Sequence, residues 1–321
     1  NVDRDKYETR HFRKWIDWAK ERDLAIDFNA TCFGHPMAAD NLTLSNPDDK
    51  IRRFWIDHCK AVRKIGADMG KELGKTVVNN IWVPDGIKDI PADRTYYRQL
   101  LRDSLDEILA VKYPAEYIVD AVESKYFGIG VESFTVGSHE FYMGYAAHAR
   151  ANGNENVMVT LDMGHFHNQE AIADKISSML LFSNKMLIHV SRPVNWDSDH
   201  VVISNEDLFD VMREIKRADA FGRVFLATDF FDGSINRINA WVTGIRASQK
   251  SVLAALLEPT DKLQEAERAG DFSNRLALME EARSLPYAAV WNKYCLDNGV
   301  PAGADYIEDI KKYEQEVLSA R

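Results

Sequence analysis

Strand-like apolar runs in this chain end, one after another, in residues that can bind a metal ion. The runs are AVESK, TLDMGH, LIHVS and LATDFF, and the segment NWDSDH follows the third of them. The candidate ligands, with one lysine beside them, are Glu123, Lys125, Asp162, His165, His189, Asp197, Asp199 and Asp229. The carboxyl ends of the strands in a parallel α/β barrel meet at one face, and active sites of such barrels lie there. The pattern therefore predicts a paired divalent-metal site in a parallel α/β barrel.

Strand-like and helix-like segments alternate up to about residue 235, which predicts a parallel sheet with right-handed connections. The strand-like segments are residues 24–29, 75–82, 117–125, 157–165, 185–192 and 223–231. A closed barrel of this type has eight strands. We therefore expect an α/β fold, a (β/α)8 TIM barrel, in which these segments are strands 3 to 8 and two βα units precede Asn1. The alternative is an open doubly wound sheet that is complete as given.

The chain after the last strand-like segment has only helical patterns, punctuated by Pro259, Pro286 and Pro301. We therefore expect residues 1–235 to form the metal-binding barrel and residues 236–321 to form a helical C-terminal extension. Apolar stretches such as SVLAALLEP lie in that extension. A barrel does not need so much helix, so we expect the extension to pack against neighbouring subunits of a homo-oligomer. Packing against the chain's own barrel is the alternative.

Charge and cysteine content narrow the class of protein. The formal net charge of −10 argues against a broad surface for nucleic acid or an anionic membrane. No apolar run approaches the ~20 residues that a membrane helix needs. The three cysteines, Cys32, Cys59 and Cys295, have no CxxC spacing, which favours free thiols in a reducing cytoplasm. We expect a cytoplasmic protein that binds neither nucleic acid nor membrane.

Some candidate ligands have close competitors in the sequence. The competing pairs are Glu123 with Glu132, His165 with His167, and Asp229 with Asp232. A lone histidine in an apolar run such as MLIHV is more often a core residue, and Asp197-x-Asp199 is also typical of a turn. Each residue alone is a weak signal. Their joint placement at successive strand ends favours metal ligands.

The charge of the predicted site supports the same reading. Five of the candidate ligands are carboxylates, and their negative charge is balanced by Lys125 together with two divalent cations. Carboxylates with imidazoles suit Mn²⁺, Mg²⁺ or Co²⁺, with Zn²⁺ also possible, better than a thiolate-bound metal. Two such ions could hold both oxygens of a reacting carbonyl and its neighbouring hydroxyl.

Several longer segments carry a family resemblance. DFNATCFGHP, NIWVPDG, DAVESKYFGIG, FYMGYA, LDMGHFH, HVSRPVNWDSDHVV, DFFDGSINR and ALLEP resemble the bacterial L-rhamnose isomerase family, from about Asp27 to the end of the chain. The HVSRPVNWDSDHVV stretch is long and unusual, so the resemblance is specific. It implies a xylose-isomerase-like barrel that uses divalent metal, typically Mn²⁺, and that assembles as a homotetramer.

The resemblance also implies roles for matching positions. The first metal would be held by Glu123, Asp162, His189 and Asp229, and the second by His165, Asp197 and Asp199, with Asp162 bridging both. Lys125 would contact the oxygen at carbon 1 of the open-chain sugar, and Trp82 would wall the sugar pocket. Catalytic roles would fall on Lys125, Asp199 and Asp229, and substrate contacts on Trp82, Lys125, His189 and Asp229.

The reaction implied is the interconversion of the aldose L-rhamnose and the ketose L-rhamnulose. Hydrogen would move between carbons 1 and 2 as a metal-assisted hydride shift, with an enediol route as the alternative. Two other classes compete: an endonuclease-like metal-dependent hydrolase on the same barrel, and a non-catalytic sugar-binding protein. The acidic charge disfavours the first. The second does not need seven metal ligands and a lysine.

Overall fold

The computed structural model describes residues 2–128, 130–167 and 169–321. Contacts between Cα atoms divide the chain into two compact units, Asn1–His167 and Asn168–Arg321. The two units are defined by compactness alone, so their boundary is not the boundary of a barrel or of an extension. The expected barrel over 1–235 and extension over 236–321 stay predictions.

The first unit alternates helices with parallel strands, as the sequence predicts. Its elements are α1 (Arg13–Glu21), β1 (Phe28–Thr31), α2 (Asp49–Leu73), β2 (Val77–Trp82), β3 (Gly86–Ile87), α3 (Arg94–Leu109), β4 (Ile118–Glu123), β5 (Phe134–Thr135), α4 (His139–Ala151) and β6 (Val157–Asp162). Strands β1, β2, β4 and β6 lie side by side in that order and pair in parallel. The short strands β3 and β5 form an antiparallel pair.

The first strand is shifted from its predicted place. The apolar run LAIDFN predicts residues 24–29, but β1 begins at Phe28 and ends at Thr31. In the parallel register Phe28 pairs with Asn79, and the backbone N–H of Val78 donates instead to the side chain of Asp27 at 2.9 Å. Hydrophobicity located the strand, while pairing with β2 set its ends.

Helix α2 packs closely against this sheet because small residues let the backbones approach. A Cβ atom at Gly70 would overlap the carbonyl oxygen of Tyr117, just before β4. One core cluster joins α1, α2 and β2 through Ile16, Ile65, Met69 and Val77. The close packing brings charged side chains of α2 within reach of the strands.

Arg63 of α2 forms a buried ion pair with Asp120 of β4. The guanidinium Nη2 lies 2.9 Å from Asp120 Oδ2, and both side chains are 2% exposed. Asn79 of β2 donates to the other oxygen, Oδ1, at 2.8 Å. The remaining guanidinium donors meet the carbonyls of Ile108 and Val111 at 2.5 and 2.9 Å. Charge and hydrogen-bonding capacity are satisfied together, as a buried ion pair requires.

The second unit begins with α5 and continues through four strands and six more helices. Its elements are α5 (Ile172–Leu180), β7 (Met186–Val190), β8 (Arg192–Val194), β9 (Trp196–His200), α6 (Glu206–Arg217), β10 (Val224–Thr228), α7 (Arg237–Leu257), α8 (Thr260–Arg268), α9 (Phe272–Arg283), α10 (Tyr287–Asp297) and α11 (Tyr306–Glu316). Strands β7 and β10 pair in parallel, and β8 and β9 form an antiparallel hairpin. Within residues 169–321, every regular element after β10 is a helix, as the sequence predicts.

The α/β class with parallel strands is therefore confirmed, while barrel closure and the count of eight strands stay predictions. In the parts of the chain that the structure describes, no helix has both the length and the apolar character needed to span a membrane.

Candidate metal centre

Glu123 is the last residue of β4, and its buried carboxylate accepts a hydrogen bond from a side chain of the flanking strand β2, which in turn accepts one from β6. Asn80 of β2 donates its amide Nδ2–H to Glu123 Oε2 at 2.5 Å. Thr160 of β6 donates its hydroxyl to Asn80 Oδ1 at 2.7 Å. These three side chains are at most 2% exposed. Successive residues of a strand point to opposite faces, so Asn80 and Glu123 share one face while Asn79 and Asp120 share the other.

Asp162 and His165 lie together where β6 turns into its loop. Asp162 Oδ1 accepts from the backbone N–H of Gly164 at 2.6 Å, and the N–H of His165 donates to the Asp162 carbonyl at 3.2 Å. This tight turn is typical of aspartate. The His165 Nδ1 atom lies 2.7 Å from the Ser124 carbonyl oxygen, so Nδ1 carries the proton. The lone pair is then on Nε2, the nitrogen available to a metal.

Lys125 and Trp82 surround that nitrogen. The Lys125 ammonium Nζ lies 3.3 Å from His165 Nε2 and 5.2 Å from the centroid of the Trp82 ring. The Trp82 and His165 rings are stacked, with centroids 6.4 Å apart and planes 20° from parallel. Phe33 packs edge-on against Trp82 at 5.0 Å. The first unit thus places a lysine and an aromatic wall beside three of the predicted ligands.

His189 and Asp229 lie together in the second unit. Ala227 pairs with His189 in the parallel register of β7 and β10, and the Asp229 N–H extends this ladder to the Val190 carbonyl at 3.0 Å. The His189 Nδ1 and Asp229 Oδ2 atoms are 3.3 Å apart. The histidine is buried, whereas the Asp229 side chain keeps 32% of its surface exposed. Parallel pairing therefore brings an imidazole and a carboxylate to one strand edge.

Asp197 and Asp199 lie on strand β9 of the hairpin, outside the strand-like segments predicted from the sequence. Asn195, with φ of 67°, makes the turn between the two strands. Asp199 has φ of 47°, a conformation that aspartate and asparagine adopt more readily than other non-glycine residues. Its carbonyl accepts from the N–H of Phe231 at 3.0 Å, which ties the hairpin to the loop after β10.

The structure places the competing residues in other surroundings. Glu132 is exposed, accepts from the Gly130 N–H at 2.9 Å and lies 3.5 Å from the Lys88 ammonium. The hydrogen bond from Gly130 lowers the pKa of Glu132. Asp232 binds the hydroxyl and N–H of Ser234 at 2.5 and 3.1 Å, which lowers its pKa.

The third competitor, His167, lies beside an aromatic ring. Its ring meets the edge of Tyr126 with centroids 6.3 Å apart. His165, by contrast, lies 3.3 Å from a Glu123 carboxylate oxygen.

Four predicted ligands, Glu123 and Asp162 in the first unit and His189 and Asp229 in the second, are residues that could hold a metal ion. Three of them are buried. Three carboxylates and one imidazole are a donor set that suits Mn²⁺, Mg²⁺ or Co²⁺, so the residues fit the metal that the sequence predicts. Sequence reasoning missed Asn80 and Thr160. The signal was a polar Asn-Asn pair inside the otherwise apolar run VVNNIW.

Comparisons of the sequence with known proteins identify one family. A family model described as L-rhamnose isomerase (RhaA) matches residues 1–321. The L-rhamnose isomerases of Salmonella newport and Salmonella typhimurium are each 52% identical over 320 residues, covering 100% of this chain and 75% of theirs. Among solved structures, a D-tagatose 3-epimerase-like protein matches with a TM-score of 0.51 and 14% identity, covering 76% of this chain and 84% of that one. That structural likeness shows the α/β fold alone.

Proposed function

This chain belongs to the L-rhamnose isomerase family, and we propose that it interconverts L-rhamnose and L-rhamnulose at two divalent-metal sites built from the predicted ligands. The observation that carries the assignment is the family match over residues 1–321. The protein is thus an isomerase that acts on a small sugar. The endonuclease-like hydrolase considered from the sequence finds no support among these relatives.

The first metal is assigned to Glu123, Asp162, His189 and Asp229. The second is assigned to His165, Asp197 and Asp199, with Asp162 bridging both. Support for His165 comes from its tautomer, because Nδ1 keeps its proton and donates it in a hydrogen bond to the Ser124 carbonyl, so that Nε2 is the ligand atom. When bound, divalent ions would hold the sugar oxygens at carbons 1 and 2 and polarise the carbonyl. We assign Mn²⁺ as the preferred ion.

Lys125 is assigned to the oxygen at carbon 1 of the open-chain sugar. Its ammonium is the positive group beside His165, and its position over the Trp82 ring restrains it. An ammonium held there would stabilise negative charge on that oxygen as the carbonyl and hydroxyl exchange places. Trp82 would form an apolar wall that orients the sugar and excludes water. Asp199 and Asp229 complete the assigned catalytic set, and His189 and Asp229 also contact the sugar.

Fold and assembly are proposed at the level the family implies. The parallel strands are assigned to strands 3 to 8 of a (β/α)8 barrel, and residues 236–321 to an extension that mediates a homotetramer. Large apolar side chains at least half exposed in that segment support association. They are Trp241, Leu256, Phe272, Leu276, Tyr294 and Leu296. Sedimentation should show a tetramer, and a compact monomer at micromolar concentration would contradict the proposal.

The compartment proposed is the cytoplasm. All three cysteines are buried and unbonded, and the Sγ atoms of Cys32 and Cys59 lie 3.8 Å apart without a disulfide. Free thiols at that distance are in keeping with a reducing compartment.

Metal replacement tests the proposed chemistry. The protein is stripped with a chelator, verified by metal analysis, and reloaded separately with Mn²⁺, Mg²⁺, Co²⁺ and Zn²⁺. Formation of ketose from L-rhamnose should vanish on stripping and return on reloading, most fully with Mn²⁺. Strand breaks in abasic DNA, assayed in parallel, should stay at background. Full turnover by verified metal-free protein would reject the metal mechanism.

A further inference from the structure

We propose that Thr160 and Asn80 are positioning residues that fix the Glu123 carboxylate for metal binding. The inference rests on the proposed function, because it takes Glu123 to be a metal ligand. The observation behind it is the hydrogen-bonded series from Thr160 through Asn80 to Glu123, which crosses three neighbouring strands. Neither Thr160 nor Asn80 can serve as a strong metal ligand in this arrangement, so their contribution acts through Glu123.

The direction of the series is set by hydrogen-bond chemistry. An asparagine amide has a carbonyl that accepts and an NH₂ that donates. A carboxylate only accepts, so the Asn80 NH₂ must face Glu123 and its Oδ1 must face Thr160. The Thr160 hydroxyl satisfies that oxygen at 2.7 Å by donating. Turning the Asn80 amide over would place two oxygens against each other, which burial makes costly.

The strand register places these groups beside one another. Thr160 is the direct partner of Glu123 between β6 and β4, and Asn80 pairs with Ala121 between β2 and β4. Asn80 therefore approaches the carboxylate diagonally and reaches its Oε2 atom. The other oxygen, Oε1, lies 3.3 Å from His165 Nδ1. With Oε2 held by the amide, one oxygen of the carboxylate has a fixed position before any ion arrives.

A neutral amide is suited to this task because it orients the carboxylate and leaves its charge in place. The neighbouring pair on the opposite strand face shows the other arrangement. There Asn79 binds Asp120 in the same way, but Arg63 neutralises that carboxylate at 2.9 Å. Hydrogen-bonding partners of metal ligands typically change metal affinity about 10- to 100-fold when removed.

The test is Mn²⁺ binding to the full chain, measured by titration calorimetry and by the signal of free Mn²⁺ in electron paramagnetic resonance. The sites of interest are those that Glu123→Gln abolishes. Thr160→Val keeps the shape of the side chain and removes the hydroxyl, and Asn80→Ala removes the amide. Both should weaken Mn²⁺ binding at those sites about 10- to 100-fold. Thr160→Ser restores the hydroxyl and should bind Mn²⁺ like the unaltered protein.

Asn79→Ala is the matched control. Like Asn80→Ala, this substitution removes a buried amide of β2 that donates to a carboxylate of β4. It should therefore lower the thermal midpoint of the metal-free protein. Mn²⁺ affinity should be unchanged in this variant, because Asp120 is held by Arg63 on the other face. Circular dichroism at the titration temperature confirms that each variant is folded.

The outcomes separate the inference from the proposed function. If Glu123→Gln binds Mn²⁺ as tightly as the unaltered protein, Glu123 is no ligand and the assignment of the metal site fails. If Glu123→Gln loses the ion while Thr160→Val and Asn80→Ala keep it at unchanged affinity, the positioning role alone is overturned. Equal weakening in Thr160→Ser and Thr160→Val would also overturn it, because the hydroxyl would then be irrelevant.

Discussion

The two faces of strands β2 and β4 carry similar buried pairs that differ in the group balancing the carboxylate. On one face Asn79 and Arg63 both bind Asp120, with the ion pair at 2.9 Å. On the other face Asn80 binds Glu123, and the nearby groups are Thr160 and His165. A carboxylate that is ion-paired with arginine is already neutralised, and it contributes to the fold alone. A carboxylate oriented by an amide keeps its charge for a divalent ion. If Glu123 is the metal ligand we propose, neighbouring positions of one strand serve stability and chemistry separately.

The largest expected effect is at Asp199, which is assigned to the proposed second metal site. Asp199→Asn should lower isomerase turnover more than about 1000-fold, because it removes a proposed ligand of the second metal. This loss is larger than the one expected from removing a single hydrogen-bond donor that stabilises a transition state. The fold should persist because asparagine also tolerates the φ of 47° found at Asp199. Turnover on L-rhamnose and the number of bound Mn²⁺ ions are the measurements.

Asp232→Asn is the control for that experiment, because Asp232 binds Ser234 and lies outside the assigned ligand set. It should retain turnover and both ions. An Asp199→Asn protein with near-normal turnover and two bound ions would remove Asp199 from the site.

Lys125→Met should lower turnover about 100- to 1000-fold, the range for loss of one group that stabilises developing negative charge. Mn²⁺ affinity should change little, since no metal ligand is removed. Steady-state kinetics should show the loss in kcat more than in KM. Lys88→Met, at an exposed lysine beside Glu132, supplies a control that leaves kcat unchanged. A change in KM alone would make Lys125 a binding residue.

Arg63→Met should lower stability and leave turnover unchanged, which is the opposite of what we expect for Asp199→Asn and Lys125→Met. Leaving Asp120 buried without its cation should lower the free energy of unfolding by about 3–5 kcal/mol. Urea denaturation of the metal-free protein measures this loss. Turnover per folded molecule should stay unchanged. Adding Asp120→Leu should recover much of the stability, because apolar replacement of both partners is often close to neutral. Weaker Mn²⁺ binding in Arg63→Met would show that the two faces are coupled.

Acidification should give the smallest effect. It should weaken metal binding by protonating the imidazole ligands and should leave the Arg63–Asp120 ion pair in place. Free imidazole titrates near pH 6.5, and a protonated ring cannot bind metal. Between about pH 7.5 and pH 5.5 the neutral fraction of such a ring falls about tenfold, so Mn²⁺ affinity should fall at least that much. Arginine keeps its charge throughout, and the Arg63–Asp120 pair should persist. Unchanged Mn²⁺ occupancy below about pH 5 would argue against His165 and His189 as ligands.

Much of the fold could be read from hydrophobic patterns. Apolar runs predicted the parallel strands within a few residues, and the polar residues that end those strands supplied the candidate ligands. Two details differed because they depend on pairing. Strand β1 begins at Phe28, where it can pair with Asn79, and Asp199 lies on a hairpin strand whose partner is β8. Hydrophobicity does not encode which backbone groups will find partners.

The sequence by itself determined the kind of chemistry, because hard oxygen and imidazole donors at strand ends are suited to few ions. It also determined the family, through long segments such as HVSRPVNWDSDHVV. Only the tertiary structure decided how those donors are held. Thr160 and Asn80 are 80 residues apart in sequence and 2.7 Å apart in space. Their contact, and that of Lys125 with His165, follows from the register of strands that pair across long connections. Local composition does not determine that register.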